Sequence, residues 1–240
     1  MINNSVSFFS FAGRKGENED SSLILERKEF AVFAVADGMG GHKAGEIASK
    51  LCVNAVKEFF DNEFIDDFSQ DTLTACFKAA STALFNYATT NPEKANLGTT
   101  LSLVILHGNL LYIAHVGDSR VYLLRNRGIR SLTKDQTEVQ HLIDQKIINE
   151  IEAKRYKRKN VLLSVLDAKG RYTLDTSIIE LNDCDRLVLM TDGSYGNISK
   201  AEIRDVSLAS DNIQSFKDGV LSKISSREIK DDYTAIFYQH

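Results

Sequence analysis

Acidic residues stand where apolar runs of this chain give way to glycine or to polar turns: Asp20, Asp37, Asp118, Asp192, and Asp231 or Asp232. A carboxylate at the end of a buried strand is held on a stiff support, as a metal ligand must be. If strand ends from two stacked sheets meet at one rim, these acids are drawn together. Clustered carboxylates raise each other's pKa and cannot all stay ionised unless cations lie between them. No Cys/His cluster accompanies them, so the cations expected are hard ones that take oxygen ligands, Mg2+ or Mn2+. Two such ions can lower the pKa of a shared water and clamp the oxygens of a phosphoryl group in line with it. Spacing alone does not establish that the rim forms.

The elements that must position these acids are legible around one stretch. Phe30 to Ala36 is wholly apolar, which predicts a strand buried on both faces that stops at Asp37-Gly38. Gly38, Gly40 and Gly41 then allow a tight turn that presents backbone carbonyls and amides. Ile47, Ala48, Leu51, Cys52, Ala55, Val56 and Phe59 recur at helical spacing, as do Leu73, Cys76, Phe77, Ala80, Leu84 and Tyr87. Upstream, strands are expected over Val6–Ala12 and Ser22–Leu25. Downstream, Leu101–Leu106 and Leu110–Val116 read as a hairpin, followed by Arg120–Arg125 and Ile129–Leu132. Asp135–Gln145 reads as a short helix. The polar segment 149–160 crowds Lys154, Arg155, Lys157, Arg158 and Lys159, a solvated face or a mobile flap meeting a phosphorylated substrate. Strands at Tyr172–Leu181, Arg186–Thr191 and Ala235–Tyr238 and helices near 199–208 and 213–224 complete an antiparallel grammar.

Composition sets the bounds. The chain has 240 residues and a formal charge of -4, with acids and bases interspersed, so its field gives no reason to expect nucleic acid or a membrane surface. Its beginning lacks a signal-peptide pattern, and no apolar run approaches a membrane span. Cys52, Cys76 and Cys184 are widely spaced and read as reduced thiols. A cytoplasmic protein of one domain, 1–240, is expected, with a flap around 146–165.

Taken in order, ENED at 17–20, VADGMGGHKAGEIAS at 35–49, GTT at 98–100, VGDSRVYLLR at 116–125, LMTDGSYGNIS at 189–199 and DDYTAIF at 231–237 resemble the bacterial metal-dependent protein serine/threonine phosphatases, the PPM family or protein phosphatase type 2C. The resemblance spans about Gly13 to Phe237. It implies an α+β fold, a central sandwich of two antiparallel sheets with helices on both outer faces (αββα). It also implies two Mn2+ or Mg2+ ions. Asp37 would bridge them, Asp192 and Asp231 would bind the first, and the Gly38 carbonyl would bind the second. Glu19 and Asp20 would hold metal-bound waters, and Asp118 with Asp192 would serve a weaker third ion. A metal-activated water would attack without a phospho-enzyme intermediate, and His42 would protonate the leaving alkoxide.

The chain departs from the family pattern at several points. The phosphate-binding arginine position holds Lys15, with Arg14 one earlier. Asp231-Asp232 replaces Asp-Asn, Asp135-Gln136-Thr137 stands near the usual DHS, and Lys159–Asp167 replaces RNVLTRALG. The implied activity is hydrolysis of phosphoserine and phosphothreonine in a protein partner of a bacterial Ser/Thr kinase, by a monomer. A pseudo-phosphatase that binds phosphoproteins is the alternative, and a hydrolase of small phosphomonoesters a third.

Overall fold

Strand β3 (Phe30–Met39) shows how the layers are built. Side chains alternate across a strand, so Ala31, Phe33 and Val35 enter one core while Val32, Ala34 and Ala36 enter another. That two-sided burial is why the run is continuously apolar. The computed structural model describes residues 5–14, 16–40, 43–62 and 68–240.

One antiparallel sheet runs β1 (Val6–Phe11), β12 (Tyr233–Gln239), β11 (Arg186–Met190), β7 (Arg120–Arg125) and β8 (Gly128–Ser131). The other runs β10 (Asp175–Glu180), β6 (Leu110–Val116), β5 (Leu101–His107), β3, β4 (Gly98–Thr99) and β9 (Leu166–Asp167). Strand β2 (Asp20–Glu26) pairs with β3 on its other edge. Between the sheets, Phe33, Val35, Val121, Leu123, Leu187 and Ile236 share a core.

Helices cover both outer faces. Helices α1 (Ala44–Asn62) and α2 (Gln70–Thr90) pack on the second sheet, burying Ala48, Cys52, Val56, Phe60, Leu73, Phe77 and Leu84. On α1 the buried stripe ends at Phe60, one residue beyond the expected Phe59. Helices α6 (Lys200–Leu208) and α7 (Ile213–Ser225) cover the first sheet through Ile203, Phe216, Val220 and Ile224. Their N-termini fall at Ser199 and Asn212, whose side chains accept backbone N–H bonds in capping boxes. The expected αββα sandwich is the fold observed.

One expectation is corrected. Strand β3 does not stop at Asp37-Gly38 but continues to Met39, because Gly38 and Met39 pair with Thr99 and Gly98. The excursion between β8 and β9 holds α3 (Glu138–Asp144) and α4 (Glu150–Ala153). It closes at a root where Glu138 N donates to the Val161 carbonyl and Leu163 N to the Gln136 carbonyl.

Candidate metal centre

The acids meet because strand ends from both sheets reach one rim. In the β2–β3 ladder Asp20 is the direct register partner of Asp37. In the other sheet Arg120 opposes Met190, which sets Asp118, just ahead of β7, beside Asp192, just past β11. Asp192 begins the short helix α5 (Asp192–Tyr195). Asp231 and Asp232 lead into β12, which pairs with both β1 and β11 at this end.

A cavity of about 260 Å³ lies at the rim, lined by Glu19, Asp37, Gly38, Asp118, Asp192 and Asp231, among others. Among the described residues, no three His, Cys, Asp or Glu side chains close on one point as a ready ligand set; the carboxylates line a cavity instead. Like charges directly opposite on paired strands repel. Burial first, then the neighbouring carboxylates Asp20, Asp192, Asp118 and Asp231, hold the Asp37 carboxyl well above its usual range. Burial also pushes Asp20 up to about 7, against the opposing hydrogen bond from Thr191. Asp118 is pushed up to about 7 by burial, with Asp192 and Asp135 adding and Arg120 opposing. Asp192 is raised by burial and by Asp231.

The donor set fits hard cations. Asp20 Oδ1 is buried with no hydrogen-bond partner, an orphan of the kind a cation or its water satisfies. Among the described residues the lining supplies carboxylate oxygens with no thiolate or imidazole, a donor set suited to Mg2+ or Mn2+. Gly38 packs so closely that a Cβ there would lie 2.0 Å from the Gly45 carbonyl oxygen, so only glycine lets this backbone line the cavity.

Side chains not expected from the sequence hold these acids in place. Thr100 Oγ1 accepts from Asp37 N (2.9 Å), while Thr99 Oγ1 and Thr100 N donate to the Asp37 carbonyl (3.0 and 2.9 Å). Thr100 Oγ1 and Ser119 Oγ, 2.8 Å apart, join this strand to the Asp118 loop. Thr191 Oγ1 donates to Asp20 Oδ2 (2.7 Å) and so ties the two sheets together at the rim. The Asp232 carboxylate accepts from Gly13 N and from Glu19 N, both at 2.7 Å, and thereby anchors the loop carrying Glu19. Arg120 meets Asp135 bidentately (2.8 and 2.6 Å) and lies over the Tyr195 ring, 3.8 Å from its centroid. The motif blocks containing these residues are visible in the sequence, but their pairings are not.

The remaining expected residues divide. Arg14 is exposed and paired with Glu228, outside the lining of the carboxylate cavity. Lys15 and His42 lie outside the described residues.

Residues 12–222 match the family described as Protein phosphatase 2C. The serine/threonine phosphatase stp of Listeria innocua is 30% identical over 230 residues, covering 92% of this chain and 90% of that protein. The structure of serine/threonine phosphatase Stp1 from Staphylococcus aureus superposes with a TM-score of 0.91 at 29% identity, covering 99% of this chain and 95% of the other. The catalytic domain of the serine/threonine protein phosphatase PstP, solved in complex with 2 manganese ions, gives a TM-score of 0.83 at 29% identity, covering 98% and 96%.

Proposed function

The chain belongs to the protein phosphatase 2C family of hydrolases, and from that premise we propose that it removes phosphate from phosphoserine and phosphothreonine of a protein partner at a two-metal centre on the carboxylate rim. The single observation that carries this reading is Asp37, faced by Asp20 across a β-ladder and sharing one cavity with Asp118, Asp192 and Asp231. A fold has no use for that much facing negative charge unless cations neutralise it.

In this reading Asp37, Asp192, Asp231 and the Gly38 carbonyl would hold two Mn2+ or Mg2+ ions, Asp37 shared between them. Asp118 with Asp192 serves a weaker third. Bound there, the ions supply a lowered pKa for the attacking water and positive charge against the phosphoryl oxygens. Glu19 and Asp20 orient water by accepting its hydrogens, with Glu19 held in position by the Asp232 bond to its amide. Thr99 and Thr100 fix the Asp37 backbone, so the ligand set is organised before substrate arrives. His42 is assigned the proton for the leaving alkoxide, and Arg14 or Lys15 the contact to phosphate. The chain is read as one domain acting as a monomer in the cytoplasm, on the products of a Ser/Thr kinase. Among the described residues, no helix is long and apolar enough to cross a membrane.

The test is turnover of a phosphothreonine peptide by purified protein with Mn2+ and then with EDTA, repeated with Asp192→Asn. Turnover should require metal and vanish in the variant while its circular dichroism stays unchanged. Turnover in EDTA, or in the variant, refutes the two-metal account. Metal binding without turnover would leave a phosphoprotein-binding module.

A further inference from the structure

The carboxylate cavity adjoins a larger cleft of about 740 Å³, and the two share Asp118, Asn160, Asp192 and Asp231. Away from that shared floor the cleft carries Arg120, Asp135, Glu228 and three lysines, Lys154, Lys159 and Lys230. Arg120 is engaged by Asp135, and Glu228 is engaged by Arg14. All three lysines are exposed, and among the described residues none has a carboxylate partner. The basic crowd at 154–159 is therefore divided by the fold. Lys154 and Lys159 line the cleft, whereas Arg158 turns to Glu138, on the root of the excursion. None of the three lysines lines the smaller cavity, where the phosphoryl group belongs.

We infer that this cleft selects phosphorylated segments whose residues flanking the phosphoserine or phosphothreonine are acidic, an inference that rests on the phosphatase reading above. The carboxylates of the floor are matched by the cations that site holds, and the other carboxylates of the cleft are matched by arginines. The uncompensated charge in the cleft is thus positive, beyond the reach of the phosphate and within reach of its neighbours along the peptide. The chain's net charge of -4 opposes an acidic peptide at long range. The preference is accordingly local, and it weakens as salt shortens the screening length. Exposed ion pairs are individually weak, so the expected selectivity is modest, about three- to tenfold at low ionic strength.

The experiment compares phosphothreonine peptides flanked by aspartates, by alanines and by lysines, at saturating Mn2+ and low ionic strength. It reads kcat/KM for each, and the Kd of fluorescently labelled copies by anisotropy. The expected order is aspartate, then alanine, then lysine, with the aspartate-to-lysine ratio collapsing towards one in Lys154→Ala/Lys159→Ala and inverting in Lys154→Glu/Lys159→Glu. Equal values for the three peptides overturn the inference. So does a ratio that survives in both double variants, including the case in which all peptides and p-nitrophenyl phosphate weaken alike, since the lysines would then grip phosphate and not flanks. If no peptide is turned over, the phosphatase reading fails, while the anisotropy ratios still decide the inference for a binding module.

Discussion

Replacing Asp118 by Asn in metal-stripped protein tests the electrostatic account of the rim most directly. Asp118 is 8% exposed, and its carboxyl is pushed from 3.8 up to about 7 by burial and by Asp192. A folded-state pKa above the unfolded value means that the folded chain keeps a proton the unfolded chain releases. The sign follows: the contribution is neutral to folding below about pH 4, becomes a growing penalty as pH rises from there to about 7, and is constant above. Carrying the carboxyl from 3.8 to about 7 corresponds, at 1.36 kcal/mol per pH unit, to a ceiling of roughly 4 kcal/mol at pH 8. Coupling to Asp192 and water entry lower it, so about 1–3 kcal/mol is expected. Asn keeps the shape and removes the charge. His115, whose burial holds its pKa below the usual value, contributes a slope of opposite sign, but it is common to both proteins and cancels in the difference. The assay is urea unfolding in EDTA at pH 5, 6.5 and 8. The variant's advantage should be smallest at pH 5 and should grow to its full size by pH 8. Added Mn2+ should reverse the order if, as proposed, Asp118 serves a metal ion, since the variant lacks that carboxylate. A stability difference that does not change with pH in EDTA, or a variant less stable at pH 8, refutes the reasoning.

Asp232→Ala should cost roughly 2–4 kcal/mol in urea unfolding, because the Gly13 and Glu19 amides both lose a 2.7 Å acceptor; Asp232→Asn, which retains one carbonyl oxygen, should cost about half as much. A loss below about 1 kcal/mol for the alanine variant would show that water replaces the carboxylate. Thr191→Val should cost about 1–3 kcal/mol, since it strands the Thr234 amide and removes the donor to Asp20, whereas Thr191→Ser should remain close to the parent. Equal losses in the serine and valine variants would assign the effect to packing. Cys52 and Cys76 are buried with their thiols pushed up by desolvation, while Cys184 is exposed. Titration with an aromatic disulfide reagent should therefore find one reactive thiol in native protein and three in denaturant, and more than one in native protein would show that the helical layer over the second sheet opens readily.

What could be read from the sequence, and what could not, follows from the range of the interactions. The run from Ala31 to Ala36 betrayed its strand because burial on two faces leaves no polar position. The continuation through Gly38 and Met39 left no such trace, since it depends on a two-residue ladder with Gly98 and Thr99, too short for any periodicity. Asp37, Asp118 and Asp192 stood out because they follow apolar runs, Asp20 and Asp231 lie just where strands begin, and the family resemblance grouped them. Their supports did not stand out. Thr191 reaches an aspartate 171 residues away, and Asp232 reaches an amide 213 residues away. Both Asp231 and Asp232 line the cavity, and local pattern cannot reveal that Asp232 alone also accepts from the Gly13 and Glu19 amides. The charged segment at 154–159 shows the same limit: composition reveals five bases, but only the closed root of the excursion decides that Lys154 and Lys159 face the cleft while Arg158 does not.

The two classes of residue at the rim are therefore coupled by one physical constraint. Asp20 is at once a carboxylate facing Asp37 and the acceptor of the bond by which Thr191 joins the sheets. Charge on it opposes burial, yet the same charge strengthens that bond. A cation that relieves the repulsion lets Asp20 ionise and so tightens the junction between the sheets. On the proposed two-metal reading, metal binding and closure of the rim would be favoured by the same deprotonation, and loss of metal should loosen the sandwich first at this rim.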